Sequence, residues 1–249
     1  MLKRSFIHIP GINEEIEKQI WQSNVHSWTN FLENHASVSL SSTKKEQITS
    51  YIHQSLQAYD NQEHSFFFDN MPPKQQWRLY GHFKCCFLDI ETTGLSKYND
   101  DLTVIGLYNG RESKIFINGK NLDQFAEEIK KYDLIVTFNG KCFDVPFLKA
   151  KFPRLDLDKP HLDLRYLMKD IGYVGGLKRI EREVGICRDD DLQDISGFDA
   201  VRLWYKYKKG DEEALKLLVK YNIADIENLK TLMEFAYDKL KQKCLNNNC

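Results

Sequence analysis

Residues 87–95 read FLDIETTGL and decide the fold, because they place two carboxylates at the end of an apolar run. In a β-strand the side chains of residues two apart project to the same face, so Asp89 and Glu91 become neighbours. Two anions on one face repel each other unless a cation lies between them, and Mg²⁺ and Mn²⁺ prefer carboxylate oxygens. The pattern favours either a metal-binding strand end or a strand that runs out into an acidic turn.

Further strand patterns follow this stretch. FKCCFLDI (83–90), TVIGLY (103–108) and KIFIN (114–118) are rich in β-branched and aromatic residues and are separated by turn-forming Asn, Asp and Gly. We expect three consecutive antiparallel strands here. LIVTF (134–138) predicts a short buried strand, and another strand is expected to end at HLDL (161–164).

Helical patterns fill the rest of this part of the chain. NLDQFAEEIKKY (121–132) has helical spacing, and VPFLKAKF (145–152) opens a helix with Pro near its first turn. The later helical segments are LRYLMKDIG, GGLKRIEREVG, FDAVRLWYKYKKG and a long amphipathic stretch from Asp211 to about Leu240. The order β-β-β-α-β-α-β followed by helices predicts an α/β domain with a mixed five-stranded sheet flanked by helices.

The first 75 residues or so have a different, all-helical pattern. EEIEKQIW (14–21) and KKEQITSYIHQSLQAY (44–59) each carry apolar residues on one helical face. Pro72 and Pro73 then break the pattern, because proline cannot continue a helix and biases the preceding residue toward extended geometry. We therefore predict a small helical unit at 1–78 and the α/β domain at 79–249.

FIHIPGIN (6–13), followed by a helix, resembles a helix-hairpin-helix element, whose Gly-hydrophobic-Gly turn offers backbone amides to a phosphate. Here Asn13 replaces the second glycine. Glu14, Glu15 and Glu17 put negative charge where a phosphate would lie. Phosphate binding and a purely structural hairpin both remain open, and the acidic side chains favour the structural role.

Two later motifs add carboxylates. NGKCFD (139–144) follows the LIVTF strand, so Asp144 lies near the start of a helix, where an isolated aspartate usually acts as an N-cap. In YNIAD (221–225) the i,i+4 spacing puts Tyr221 and Asp225 on one side of the last long helix. Taken alone, that pair is typical of a solvated helix face.

Together the three motifs resemble the DEDD exonuclease superfamily, which is marked by D-x-E, an N-x₃-F-D block and, in its tyrosine subclass, Y-x₃-D. The histidine subclass is disfavoured, because Lys220 stands at the position five residues before the last aspartate. More narrowly, FNGKCFDVPFL, HLDLR, GGLKRIEREVGI, GFDAVRLWYKYKKGDEEALKLL and YNIADIENL are similar to YprB-type ribonuclease-H-like proteins over most of residues 81–235.

This resemblance implies a ribonuclease-H-like fold and a 3′–5′ exonuclease that uses two divalent metal ions, Mg²⁺ or Mn²⁺. By resemblance, Asp89 bridges both ions, Glu91 and Asp225 complete the nucleophile-side site, and Asp144 holds the second ion, partly through water. Tyr221 hydrogen-bonds the attacking water or the scissile phosphate. The expected partner is a single-stranded nucleic acid, DNA or RNA, with a free 3′ end.

Residues beside the acidic motifs are the predicted substrate contacts: Thr92, Thr93, Gly94, Leu95, Asn139, Lys141 and Phe143. Lys178, Arg179 and Arg182 are further candidates for phosphate contact, although Glu181 and Glu183 make a solvated charged face the simpler interpretation of each. Asp163 is either a fifth carboxylate near the metals or, as we favour, the cap of the helix at Leu164. The lone His161 is expected to be structural.

Composition narrows the class of protein. The chain is 42% hydrophobic and 29% charged, as in ordinary globular proteins, and its net charge of −1 excludes the global basic bias of proteins that coat nucleic acid. Six cysteines without a C-x-x-C pair predict free thiols in a reducing compartment. With no long apolar run and no secretory signal, we expect a soluble cytoplasmic protein without membrane contact.

The main alternative is a catalytically inactive nucleic-acid-binding or scaffold protein on a nuclease fold. The intact acidic set argues against it, because loss of catalysis usually replaces a carboxylate. A third hypothesis is an endonuclease or junction-specific enzyme, which would cut a substrate that lacks a free 3′ end.

Overall fold

The computed structural model describes residues 1–246 and divides into two compact units. One unit consists of residues 1–83 together with the chain from Tyr237 onward, and the other of residues 84–236. The predicted boundary after residue 78 lies close to this division, but the prediction had assigned the C-terminal stretch to the α/β domain. Cys249 lies outside the described residues.

Within residues 1–83 the first unit has four α-helices: α1 (Glu14–Gln22), α2 (Trp28–Asn34), α3 (Ser42–Asp60) and α4 (His64–Asn70). A 3₁₀ segment, Pro73–Leu79, follows them. Trp28 and Phe67 are fully buried and stack with ring centroids 5.7 Å apart. Aromatic packing of this kind supplies much of the apolar burial that a small helical unit needs.

The C-terminal stretch belongs to the first unit because of specific contacts made by Tyr237. Its hydroxyl accepts a hydrogen bond from the Met1 amino group at 2.8 Å, and its ring meets that of Trp77 edge-on, with centroids 5.6 Å apart. The sequence pattern showed a helix here but not which unit its last turns would pack into.

The segment resembling a helix-hairpin-helix turns at Gly11, whose φ of +73° suits glycine. Asn13 instead has extended backbone geometry and caps α1 by accepting from the Ile16 amide at 2.9 Å. The buried Glu17 carboxylate accepts from the Phe6 amide at 2.7 Å and pairs with Arg78 at 2.8 Å. These contacts favour the structural role, and phosphate binding by this hairpin stays a prediction.

The second unit contains a five-stranded sheet of order β3-β2-β1-β4-β5, which confirms the predicted fold class. β1 pairs antiparallel with β2, as β2 does with β3, while β1–β4 and β4–β5 are parallel. The strands are β1 (Cys85–Thr92), β2 (Leu102–Tyr108), β3 (Ser113–Ile117), β4 (Leu134–Thr137) and β5 (His161–Asp163). The strand that carries Asp89 is therefore central in the sheet.

Six further α-helices follow β3 in the chain: α5 (Phe125–Glu128), α6 (Asp144–Lys151), α7 (Leu164–Asp170), α8 (Leu177–Val184), α9 (Gly197–Lys208) and α10 (Glu212–Asn246). The continuous helix expected at 121–132 is instead α5 flanked by two 3₁₀ segments. Burying Phe125 and Ile129 needs only one helical turn, so the apolar spacing does not distinguish the two forms. Among the described helices, none combines the length and apolar character needed to cross a bilayer.

Candidate active site

Strand β1 presents two acidic side chains on one face of the sheet. Asp89 is opposite Gly106 of β2, and Glu91 is opposite Val104. Glu91 is buried although its side chain is a carboxylate. Burial of adjacent carboxylates in a strand of apolar residues is costly unless a positive group compensates them.

Helix α10 brings a second set of polar side chains to this face. Tyr221, Asn222 and Asp225 lie on it and are all buried. The Asn222 amide donates to Asp89 Oδ2 at 2.9 Å. Gly106 permits this approach, because a Cβ atom at that position would lie 2.1 Å from Asn222 Oδ1. A glycine in β2 thus lets the helix reach the acidic strand.

Three of the predicted ligands form a tight group. Asp89, Glu91 and Asp225 each have a carboxylate oxygen within 4.8 Å of the other two. Asp144, the first residue of α6, is buried and lines the same cleft, but it lies outside this group. The geometry suits one ion among three carboxylates, with a fourth carboxylate nearby.

The cleft that contains these residues has a volume of about 580 Å³. Its lining includes the predicted catalytic side chains and most of the predicted substrate contacts: Asp89, Glu91, Thr92, Thr93, Gly94, Leu95, Asn139, Phe143, Asp144, Tyr221 and Asp225. Lys141 is the exception, since it is exposed and does not line the cleft. Its backbone amide donates to Asp163 at 3.1 Å.

Burial of the four carboxylates and their mutual repulsion dominate the electrostatics of the cleft. Burial, followed by the Asp225 charge, raises the pKa of both Asp89 and Glu91 well above the usual range. Burial also raises the pKa of Asp144 to about 7. The pKa of Asp225 rises to about 6 through burial, although the Arg188 guanidinium opposes the rise. Without a cation, the folded protein therefore disfavours full ionisation of the set.

One internal cation already contacts the cluster. Arg188 Nη2 donates to Asp225 Oδ1, and the guanidinium also forms a two-point pair with Glu181, with both N–O distances 2.7 Å. The Asn228 amide donates to the same Glu181 carboxylate at 3.0 Å. This buried network joins the loop after α8 to α10.

The other basic side chains from the sequence have different surroundings. Lys178 Nζ lies 4.7 Å from the centroid of the Tyr221 ring, close enough for a cation–π contact. Arg179 pairs with Glu183 at 2.8 Å on the surface. Lys178 and Arg182 line a neighbouring cleft of about 490 Å³, which Arg188 also lines. Phosphate contact by these side chains stays a prediction.

Asp163 caps α7 by accepting from the Arg165 amide at 3.0 Å, as favoured from the sequence. It also accepts from the Asn139 amide at 2.7 Å and so holds the loop that leads to Asp144. Asn139 has a φ of +66°, a geometry that asparagine tolerates better than most residues. His161 is buried beside Thr137 at 2.8 Å, and burial lowers its pKa to about 3, which fits a structural role.

The sequence placed Glu181 on a solvated face, but it is buried. The sequence did not single out Arg188, Phe198 and Asn222. Asn222 was inside a recognised motif, and its core-facing position could have been inferred from its spacing to Asp225. Phe198 lines the cleft, yet its side chain is 66% exposed, an unusual position for a phenylalanine. No local sequence pattern predicts the pairing of Arg188 with Asp225, because this contact depends on how the intervening chain folds.

The fold and the acidic cleft define a ribonuclease-H-like domain. The RNase_H_2 family model matches residues 86–237, and the chain accordingly belongs to the RNase_H superfamily. None of the curated proteins matches the chain.

Several solved structures are similar to part of the chain. The family B DNA polymerase of the hyperthermophilic archaeon Pyrobaculum calidifontis is similar at 18% identity and a TM-score of 0.48, over 65% of this chain and 24% of the polymerase. NrnC of Brucella melitensis is similar at 18% identity and a TM-score of 0.46, over 64% of this chain and 75% of NrnC. The structure of Brucella melitensis NrnC bound to pGG is similar at 17% identity and a TM-score of 0.47, over 70% of this chain and 79% of the NrnC chain. The chain thus spans about a quarter of the polymerase.

Proposed function

We propose that this protein is a cytoplasmic, metal-dependent 3′–5′ exonuclease of the DEDD tyrosine subclass and a YprB-type member of its superfamily. It hydrolyses phosphodiester bonds of DNA or RNA, starting from a free 3′ end. One observation carries the proposal: buried carboxylates from β1 and α10 meet within 4.8 Å in a cleft that also contains Asp144 and Tyr221.

The donor set fits a hard divalent cation. All the candidate ligands are carboxylates, which Mg²⁺ and Mn²⁺ prefer, and their mutual repulsion is relieved when a cation binds. Asp89, Glu91, Asp144 and Asp225 would hold two ions. When bound, such a pair makes a water acidic and neutralises charge on the scissile phosphate.

Tyr221 supplies a hydrogen-bond donor at the cleft wall. Burial and the nearby carboxylates, Asp225 first, raise the pKa of the phenol well above its usual value. The hydroxyl therefore keeps its proton at neutral pH and donates a hydrogen bond to the attacking water or the phosphate. It positions a reactant and need not take up or release a proton itself.

The cleft also has apolar surfaces suited to unpaired bases. Leu95 and Phe198 line it with strongly exposed side chains. Bases of a single strand stack on such surfaces with little dependence on sequence. The volume of about 580 Å³ lies within the range of pockets that enclose small ligands, which suits the end of a strand.

The direct test is Mn²⁺-dependent release of nucleotides from labelled single-stranded DNA and RNA. We expect mononucleotides from substrates with a free 3′ hydroxyl and no products from 3′-blocked or circular strands. Asp89→Asn is the matched inactive control, because the amide keeps the size of the carboxylate. Cleavage of circular DNA would indicate an endonuclease, and equal products from wild type and Asp89→Asn would exclude this site.

A further inference from the structure

Arg188 contacts Asp225, one of the carboxylates proposed to bind the metal. Its Nη2 donates to Asp225 Oδ1, while its Nε and Nη2 bind Glu181. The side chain is 5% exposed, so the guanidinium is enclosed by protein. The contact joins a permanent cation directly to one of the three clustered carboxylates.

A guanidinium and a divalent ion on the same carboxylate oppose each other. Both are attracted to the Asp225 oxygens, and they repel one another strongly at a few ångströms in a poorly hydrated interior. The guanidinium is not fully satisfied where it lies, because its Nη1 is buried without a hydrogen-bond partner in the described chain. Such an unpaired donor destabilises the contact and eases its loss.

The structure also provides room for Arg188 to move. The neighbouring cleft of about 490 Å³ has Arg188 on its wall, and the exposed Asp194 lines the same cleft. Glu181, held by Asn228, can keep its pair with the guanidinium while Nη2 withdraws from Asp225.

We propose that Arg188 is a built-in counter-cation that competes with the catalytic metal for Asp225. This inference rests on the proposed metal site. Without metal, Arg188 compensates the carboxylate cluster and keeps the folded protein stable. Metal binding on the Asp225 side must displace the guanidinium, and the metal affinity of that side is correspondingly reduced. Arg188 is thus a residue that sets metal affinity without touching substrate.

The test is Mn²⁺ titration calorimetry, with melting temperatures measured in parallel. Arg188→Met should bind Mn²⁺ about tenfold more tightly or better, because a neighbouring positive charge is gone. Without metal this variant should melt at a lower temperature than the wild type. Addition of Mn²⁺ should raise its melting temperature by more than it raises that of the wild type. Arg188→Lys, which keeps the charge, should restore weak binding, and Arg179→Met, a surface arginine of the preceding helix, should leave the affinity unchanged.

Weaker or unchanged Mn²⁺ affinity in Arg188→Met would overturn the inference and make Arg188 a positioning residue for Asp225. If the single variant does not fold because Glu181 is left unpaired, Glu181→Gln/Arg188→Met removes the whole buried pair, a change that proteins often tolerate. That double variant should also bind more tightly, and wild-type affinity would count equally against the competition.

Wild-type nuclease activity, measured on the same preparations, separates the two proposals. Hydrolysis by the wild type, together with unchanged Mn²⁺ affinity in Arg188→Met and in the double variant, would contradict this inference alone. If neither the wild type nor any variant binds Mn²⁺, both the inference and the proposed function are contradicted.

Discussion

At the scale of single residues, the roles proposed for the carboxylates and for Tyr221 can be separated by mutation. Tyr221 lies on the same side of α10 as Asp225, but its phenol is not proposed as a metal ligand. The structure adds that Lys178 packs over its ring, so removal of the hydroxyl should leave the ring contacts intact.

Tyr221→Phe should slow single-turnover hydrolysis by at most about 10²–10³-fold, the contribution of one positioned hydrogen bond in a transition state. Its Mn²⁺ affinity should stay near that of the wild type. Asp225→Asn, measured beside it, should lose both affinity and rate, because a ligand has been neutralised. Equal losses of metal affinity in the two variants would show that Tyr221 orders the metal site.

The pKa shifts predict how stability depends on pH without metal. The pKa of Asp144 is about 7 in the folded protein and about 4 when unfolded, so the folded state favours the protonated acid. Stability from this group is fully present below pH 4 and is lost as the pH rises through 7. The metal-free wild type should therefore melt at lower temperature at pH 8 than at pH 5.

Asp144→Asn tests the source of this pH dependence. In EDTA the variant should exceed the wild-type melting temperature at pH 8 by at least about 2–4 °C, the shift that 1 kcal/mol produces at this size. Its loss of stability between pH 5 and pH 8 should also be smaller than that of the wild type. Parallel curves for the two proteins would show that Asp144 is already compensated by its surroundings.

At the scale of elements, the strand patterns predicted the sheet well because apolar, β-branched runs bounded by turn residues leave few alternatives. The three acidic motifs could be found from sequence since each carboxylate is fixed by a local element: β1, the start of α6 or one face of α10. The network of Glu181, Arg188 and Asn228 could not be found, because its members meet only through tertiary packing. The sequence predicted a continuous helix at 121–132, where the structure has a short α-helix between two 3₁₀ segments, because apolar spacing does not distinguish a 3₁₀ turn from an α-helical one.

The fit of α10 against β2 depends on one glycine. Gly106→Ala would place a methyl group 2.1 Å from Asn222 Oδ1, and Asn222 is fully buried, so the helix or the strand must shift. We expect a loss of about 1–3 kcal/mol in the free energy of unfolding, typical of overpacking. We also expect weaker Mn²⁺ binding, because Asn222 no longer orients Asp89.

Denaturant unfolding and Mn²⁺ titration of Gly106→Ala measure both effects. Gly176→Ala is the control, since a Cβ atom there meets open space. Wild-type stability in Gly106→Ala would mean that Asn222 has freedom to move and does not fix Asp89.

At the scale of the whole molecule, the sequence predicts units at 1–78 and 79–249, whereas the structure groups the chain from Tyr237 onward with residues 1–83. An amphipathic helix shows that one face is buried, whereas the identity of the covering residues depends on packing. Tyr237 illustrates the difference, because its partners Met1 and Trp77 both lie in the first third of the sequence.

The acidic cluster draws its members from opposite ends of the second unit in chain order. Asp89 and Glu91 lie on its first strand, whereas Asp225 lies on its last helix. A ribosome adds roughly 5–20 residues per second, so the two parts emerge many seconds apart. Until Asp225 has been added, the nascent chain holds two of the three carboxylates and cannot form the cluster. Any activity that depends on all three carboxylates is therefore withheld until nearly the whole domain has been synthesised.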